Sequence, residues 1–356
     1  MKQSKELNFK GENIYCGIDV HANQWTVCVR DDSFELKSFT QPPEAKKLAA
    51  FLKRTYPQAN YHAAYEAGFC GFWAQRQLEA EGINCIVVHP ADVPTTDKEK
   101  QEKTDPVDCR KLARSLGDKN LKALYIPSEE MTSDRHLLRT RKQLVQDQTR
   151  YKNRIQSMLY FEGIPTPEGY KKSTHFSKQF ILWLEALKMR TTAKESLQLK
   201  LDMLKKIREQ LLEANRQVRK LSCTEPYKQQ VELLRSIPGI GLINSMIILT
   251  ELGDIKRLEN FNSWCSYFGL TPSVYQSDET VHVRGITHRC NHLLREALVE
   301  SAWQTVWRDP ALLMCFKQYC KRMNKNKAII RIARKLLSRI RYVLLNKTEY
   351  EIAVVK

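Results

Sequence analysis

Short apolar runs, separated by turn-forming residues, dominate the first 130 positions of the chain. Their lengths and their β-branched and aromatic content predict strands over residues 14–20, 25–29, 36–40, 61–66 and 84–88. The spacing of apolar residues predicts helices over residues 43–55 and 71–81, and a further helix with Pro106 in its first turn. Strands that first form a hairpin-like group and then alternate with helices are typical of a mixed sheet. We therefore predict an α/β domain over residues 1–130.

From about residue 130 the apolar spacing becomes that of long helices. One stretch repeats apolar residues every seven positions, at Leu137, Leu144, Tyr151 and Met158, with Ile155 between the last two. A second alternates steps of three and four, through Leu204, Ile207, Leu211, Ala214, Val218 and Leu221. These patterns predict a coiled-coil segment over 131–228, interrupted near 163–195 where Gly and Pro occur. The two helices could pack as a hairpin within one chain or form an oligomerisation arm, and the sequence leaves both open.

A third region, 229–356, is predicted to be mostly helical. It contains a glycine turn, IPGIG at 237–241, a polar loop over 271–289, and a basic helix near its end. No acidic residue occurs between 321 and 348, and one apolar stripe runs through that stretch at Ile329, Ile332, Ala333, Leu336, Leu337 and Ile340. The opposite side is either a solvated face or a nucleic-acid face, and we favour the latter.

The charge of the chain favours that choice. Against 58 Lys and Arg residues stand 40 Asp and Glu, which gives a formal net charge of +18. Such an excess indicates a polyanionic partner, because basic side chains release condensed counterions from phosphate. Nucleic acid is the first candidate and an anionic membrane surface the second, although no apolar run is long enough to span a bilayer.

The compartment is predicted from two further features. The first residues contain no apolar signal core, so we expect a cytoplasmic protein. The chain has 10 cysteines and no C-x-x-C pair. We therefore expect reduced and mostly buried thiols, with neither disulfides nor a zinc site.

Carboxylates are the first candidates for chemistry. Asp19 lies inside an apolar strand, where an ionised group is unfavourable without compensation, and Glu66 ends another strand. Asp105 and Asp108 stand three residues apart at a helix start and so share one face. Taken singly, each acid could have a purely structural role, as a helix cap, a first-turn residue or a surface acid. If they converge, they require a cation, and oxygen ligands favour Mg²⁺ or Mn²⁺.

Two further segments carry candidate functional groups. The glycine turn at 237–241 is either a helix-hairpin-helix element, whose backbone N–H groups meet a DNA phosphate, or a plain helix–helix turn. The loop 271–289 offers several possible nucleophiles, and position alone does not select one among Ser273, Tyr275, Ser277 and Thr280. Basic groups expected to contact nucleic acid are Arg284, His288, Arg289, Lys327, Arg331, Arg334 and Lys335.

Several modest motifs follow one another in a specific order and spacing. They are GIDVHAN at 17–23, YEAG at 65–68, KTDPVDCRKLA at 103–113, IPGIG at 237–241, FGLTPSVYQSD at 268–278 and GITHRCNHLLREALVESAW at 285–303. In these motifs, and across nearly its whole length, the chain resembles the DEDD transposases of the insertion sequence 110 family, the bridge-RNA-guided recombinases.

The resemblance implies a RuvC-like, RNase H-type domain, a coiled-coil segment and a C-terminal transposase domain. It places the metal-binding acids on Asp19, Glu66, Asp105 and Asp108, and the catalytic serine on Ser277, within the match to a Tyr-Gln-Ser-Gly motif. The chain departs from the family at Asp278, where glycine is usual and admits backbone angles that aspartate adopts less readily, and at Cys290.

The resemblance also implies a mechanism and partners. Ser277 would form a covalent phosphoserine with DNA, beside Mg²⁺ held by the acids. The serine and the acids would come from different subunits of a dimer, and two dimers would join donor and target DNA as a tetramer. A structured non-coding RNA would pair with both DNAs, so that base pairing reads the sequence. We accordingly expect association with the bacterial nucleoid.

Two rival functions remain at this point. A Holliday-junction resolvase or RNase H-like nuclease would use the carboxylates with metal-activated water and would not need Ser277. A non-catalytic nucleic-acid-binding scaffold would need only the basic helices and the coiled coil. The acid inside the first strand argues against the scaffold.

Overall fold

The computed structural model describes residues 9–97, 104–170, 176–277 and 280–352, and it does not describe the side chains of 273–284. The chain divides into two compact units, Met1–Ile126 and Pro127–Lys356, and each is described by itself. Within the described residues, no helix combines the length and the apolar character that a membrane crossing requires.

The first unit is built on a five-stranded mixed sheet with strand order β3-β2-β1-β4-β5. The strands are β1 Asn13–Val20, β2 Trp25–Arg30, β3 Glu35–Gln41, β4 Asn60–Glu66 and β5 Asn84–Val88. β2 is antiparallel to β1 and β3, whereas β4 is parallel to β1 and β5. The predicted strands and the predicted mixed sheet are therefore confirmed.

Helices cover both faces of this sheet. They are α1 Ala45–Thr55, α2 Trp73–Ala80 and α3 Asp105–Gly117. Apolar residues of β1, such as Ile14 and Ile18, share a core with α1 and α2. Side chains alternate along a strand, so Gly17 and Asp19 point to the other face, where α3 packs.

Gly17 sets how closely α3 approaches the sheet. A Cβ atom at this position would lie 2.0 Å from the carbonyl oxygen of Cys109 and 2.5 Å from the backbone nitrogen of Ala113. The thiol of Cys109 donates to the carbonyl of Thr26, with 2.9 Å between sulfur and oxygen. The helix backbone therefore rests directly on β1, and the first turn of α3 comes close to Asp19.

In the second unit, two long helices, α4 Glu129–Phe161 and α6 Thr191–Ser222, pack against each other, with α5 Lys178–Ala186 between them in the chain. The predicted stripe of α6 is confirmed at four of its six positions, where Leu204, Ile207, Ala214 and Val218 are buried. Leu211 and Leu221 are partly exposed. The predicted stripe of α4 is confirmed in part. Ile155 is buried, and Leu137, Tyr151 and Met158 are partly buried against the cores, but the other fully buried positions are their neighbours Leu138 and Leu159.

The face of α4 shifts because its two ends enter different cores. Leu138 packs with the helices of the C-terminal part, whereas Ile155 and Leu159 pack with α5 and α6. A single seven-residue repeat is expected for a helix that packs along one continuous partner. This helix packs against two separate cores.

The rest of the second unit is a helical core with a small β-hairpin. The helices are α7 Tyr227–Ser236, α8 Leu242–Leu252, α9 Phe261–Tyr267, α10 His292–Val306, α11 Pro310–Cys320 and α12 Lys325–Asn346. The predicted apolar stripe of α12 is buried in full and faces this core. A mixed α/β region followed by a mainly helical one is thus confirmed.

The predicted polar loop at 271–289 differs from the structure. It forms two antiparallel strands, β6 Pro272–Ser277 and β7 Thr280–Ile286, which we call the serine hairpin. The β-branched and aromatic residues in SVYQS and TVHVR favour strands, although the many polar residues of the segment had indicated a loop.

Candidate active site

The ends of two parallel strands bring the first two predicted acids together. Ile18 of β1 is paired with Tyr65 of β4, so Asp19 and Glu66 each follow one position later at the same sheet edge. Asp19, Glu66 and Asp108 line one pocket of about 190 Å³ together with His21. Asp105 lies one helical turn before Asp108 on α3. The four acids, which we call the carboxylate site, are therefore neighbours.

A histidine connects two of these acids. The Nε2 atom of His21 lies 3.0 Å from Oδ2 of Asp19 and 3.5 Å from Oδ2 of Asp105. One ligand atom from each of the three residues falls within 4.8 Å of the others. Carboxylate oxygens with one imidazole nitrogen are a donor set that suits Mn²⁺ and, through the oxygens, Mg²⁺.

A lysine connects the other two acids. The Nζ atom of Lys111 lies 2.8 Å from Oδ1 of Asp108 and 3.6 Å from Oε1 of Glu66. Burial lowers the pKa of Lys111, but the hydrogen bond to Asp108 and the charges of Asp108 and Glu66 outweigh it, so the net pKa lies above its ordinary value. Lys111 is therefore a charged ammonium at neutral pH.

The electrostatics of Asp19 favour a cation beside it. Burial raises the pKa of Asp19 above its ordinary value, and the charges of Asp105 and Asp108 raise it further, while His21 lowers it. A divalent cation bound beside such a carboxylate stabilises its ionised form. The residues present thus fit a divalent metal ion.

Sequence reasoning missed His21 and Lys111. Both stood next to predicted acids: His21 follows Asp19 by two residues, directly after the strand, and Lys111 follows Asp108 by three on the same helix. Helical spacing alone puts Lys111 on the face of Asp108. It does not reveal that Lys111 also reaches Glu66, because that depends on how α3 lies across the sheet.

Ser277 is the last residue of β6, and its backbone is paired with Thr280 across the serine hairpin. The side chains of Ser277 and Arg284, and all of Asp278, lie outside the described part of the structure. His288 and Arg289 follow the hairpin and are exposed. The carboxylate site belongs to the first unit and the serine hairpin to the second.

A buried ion pair lies beside Asn291, the residue that caps α10, and sequence reasoning missed it. Glu251, at 1% exposure, accepts hydrogen bonds from Arg139 of α4 at 2.8 and 2.9 Å. Its Oε2 also accepts from the side-chain amide of Asn291, which caps α10 just after the hairpin. Burial raises the pKa of Glu251, but the hydrogen bonds and charge of Arg139 lower it more, so the net pKa falls below its ordinary value. The ionised pair thus ties α4, α8 and α10 together.

The basic face of α12 consists of the exposed residues Lys327, Arg331, Arg334 and Lys335. Its opposite side is the buried stripe already described. Arg334 lies 5.7 Å from the ring centre of Phe261. The remaining three recur every four residues and so form one row along the helix.

The glycine turn at 237–241 precedes α8. Gly239 has φ +94, and a Cβ atom there would lie 2.5 Å from the backbone nitrogen of Thr305. Packing of the turn against α10 therefore accounts for this glycine without a ligand.

Two protein-family models match the chain. One, described as Transposase IS116/IS110/IS902 family, matches residues 231–316. The other, a transposase model named for the DEDD acids and for insertion sequence IS110, matches residues 16–162. Together they cover more than half of the chain and include the carboxylate site and the serine hairpin.

Individual relatives give the same result. The transposase for insertion sequence element IS1533 of Leptospira borgpetersenii is 27% identical over 310 residues, which is 82% of this chain and 85% of that protein. A protein of Sinorhizobium fredii named y4rJ is 29% identical over 296 residues, 76% of this chain and 74% of its own. The pilin gene-inverting protein of Moraxella bovis is 32% identical over 125 residues, 33% of this chain and 38% of that protein.

Proposed function

This chain belongs to the IS116/IS110/IS902 family of insertion-sequence transposases, and on that basis we propose that it exchanges DNA strands through a serine nucleophile, a divalent cation and a guide RNA. As a transposase it acts on DNA. We also propose that its first unit has the RuvC-like fold and that the protein acts at the nucleoid, within the bacterial cytoplasm.

The observation that carries the proposal is the convergence of four acids from β1, β4 and α3 at one sheet edge. In the proposed site, Asp19, Glu66, Asp105 and Asp108 hold Mg²⁺ or Mn²⁺. The metal would polarise a phosphate oxygen and offset the charge that develops during transfer. The carboxylates fix where the scissile phosphate binds.

In the proposed reaction, the Ser277 hydroxyl oxygen attacks the phosphorus and forms an ester bond with it. The bond from phosphorus to one strand breaks, and that strand leaves as a hydroxyl that takes up the serine proton. Reversal of this step by the hydroxyl of another strand rejoins the DNA. The chemistry requires the serine and the carboxylates to meet at one phosphate, for which we propose that two subunits each supply one part.

Exposed apolar side chains on the two long helices support the proposal that the protein forms oligomers. Tyr160 and Phe161 of α4 are 89% and 87% exposed, and Leu199 and Leu212 of α6 are 69% and 67% exposed. Exposed apolar groups of this size favour association. We propose that α4 and α6 form a coiled-coil arm that joins subunits into dimers, and that two dimers form a tetramer on donor and target DNA.

The basic face of α12 is proposed to bind nucleic acid. We expect the combined change of Lys327, Arg331 and Lys335 to alanine to weaken binding about tenfold or more and to reduce the slope of log affinity against log salt by about three. Fluorescence anisotropy with duplex DNA and structured RNA at several salt concentrations measures both. Alanine at Lys46, Lys53 and Arg54 of α1 removes the same charge elsewhere. An equal loss in that control would assign the effect to net charge and not to the face of α12.

The proposed requirement for a guide RNA is tested by copurification. We expect the chain, expressed with the non-coding DNA that flanks its gene, to retain a specific structured RNA, and we expect strand exchange to stop when that RNA is digested. Sequencing of the bound RNA and a two-plasmid recombination assay measure these results. Efficient exchange by RNA-free protein would show that base pairing with a guide is unnecessary.

A further inference from the structure

The four acids of the carboxylate site divide into two pairs, each spanned by one nitrogen. His21 lies between Asp19 and Asp105, at 3.0 and 3.5 Å. Lys111 lies between Asp108 and Glu66, at 2.8 and 3.6 Å. The two nitrogens differ in chemistry, because an imidazole can donate a lone pair to a metal whereas an ammonium cannot. The two halves of the site are therefore not equivalent toward a cation.

Lys111 is fixed in its half. Its side chain is 8% exposed, and its neighbours Leu112 and Cys109 on α3 are buried. An ammonium that left both carboxylates here would be partly desolvated and unpaired, which is unfavourable. We therefore expect Lys111 to stay between Glu66 and Asp108.

The other half is open. The side chains of His21 and Asp105 are each 47% exposed, so solvent and ions reach them. Four ionised carboxylates against one ammonium leave an excess of three negative charges, and one divalent cation removes most of it. A second divalent cation at Glu66 and Asp108 would lie within a few ångströms of the Lys111 ammonium and be repelled.

We propose that Lys111 is a built-in counter-cation for Glu66 and Asp108, so that the free protein binds one divalent ion firmly, at the Asp19 and Asp105 half. The inference rests on the proposed metal-dependent function and deepens it. Lys111 is in this view a positioning residue, since it holds two carboxylates in place without touching DNA.

The test is a titration of the full chain with Mn²⁺ in the absence of nucleic acid. Binding is measured from the electron paramagnetic resonance signal of the Mn²⁺ that stays free. We expect about one firm site in the wild type and in Lys111→Arg. We expect Lys111→Met to gain a second site, with affinity there rising about tenfold or more because the repelling charge is gone. Lys122→Met, an exposed lysine of the same unit, is the matched control and should behave as the wild type.

Thermal unfolding supplies a second readout. Without divalent ions, Lys111→Met should have a lower Tm than the wild type, because Glu66 and Asp108 then face each other uncompensated, and Mn²⁺ should recover most of the loss. A lysine that only packs would give a loss that Mn²⁺ does not recover and would leave the stoichiometry at one, which would overturn the proposal. Two equal sites in the wild type would overturn it even if the variant does not fold.

The outcomes separate this inference from the proposed function. If the wild type binds one ion, Asp19→Asn abolishes that binding and Lys111→Met changes nothing, then only the role of Lys111 is wrong. If the wild type binds no Mn²⁺ at all, both the inference and the metal-dependent part of the proposed function are wrong.

Discussion

Asp19→Asn is expected to reduce DNA cleavage by roughly 10³-fold, with little change in the fold. Asp19 has its carboxylate at the centre of the site, 3.0 Å from His21 and beside the pocket that Glu66 and Asp108 line. Asparagine keeps the shape but removes the charge that a divalent cation needs. Cleavage of labelled DNA carrying the ends of the element, with Mg²⁺ present, measures the loss.

Asp118→Asn is the matched control, because Asp118 is an exposed aspartate at the opposite end of α3. It should cleave as the wild type does. Circular dichroism should show that Asp19→Asn is folded. Thermal unfolding without metal should show a Tm at or above that of the wild type, since an ionised carboxylate is unfavourable there. Undiminished cleavage by Asp19→Asn would show that the carboxylate site is not needed for the reaction. A scaffold without catalysis would instead give no cleavage by the wild type and equal nucleic-acid binding by both proteins.

Ser277→Ala is expected to lower strand exchange by roughly 10⁴-fold or more and to remove the covalent protein–DNA adduct. Alanine removes only the hydroxyl oxygen that would bond to phosphorus, at the end of β6. The adduct is measured on denaturing gels as labelled DNA that migrates with the protein. Ser273→Ala, in the same strand, is the control and should retain both activities.

The same variant separates the two enzymatic functions. A Holliday-junction resolvase or RNase H-like nuclease attacks with water, so Ser277→Ala would continue to cut DNA in Mg²⁺ and the wild type would form no adduct. Asp19→Asn inactivates either kind of enzyme, so Ser277→Ala is the variant that distinguishes them.

The sequence predicted the first unit well because its signals are local. Each strand there is a short apolar run of its own, and β1, β2, β4 and β5 lie within two residues of their predicted limits. The serine hairpin was misread because its strands contain many polar residues. The buried face of α4 was predicted only in part because it follows from two separate cores, which no repeat within the helix encodes.

The site was predicted only in part for a similar reason. Asp19 was recognised as a carboxylate within an apolar run. Glu251 gives the same signal in the apolar sequence of α8, and it was not singled out. The position of Glu251 does not reveal its partners, since Arg139 and Asn291 are far from it in the chain. In the same way, the position of Glu66 does not reveal Lys111. Long-range pairing depends on tertiary packing and not on spacing.

The contact between Gly17 and α3 has a consequence for comparing relatives of this chain. No acid of the site belongs to that contact, yet the positions of Asp105 and Asp108 depend on it. Any side chain at residue 17 would collide with the backbone of Cys109 and Ala113, which belong to the same helix. A relative that keeps every acid but has alanine or valine at this position would therefore have its helix displaced from the sheet. Intact acids in an alignment are not sufficient grounds to count such a relative as an active transposase.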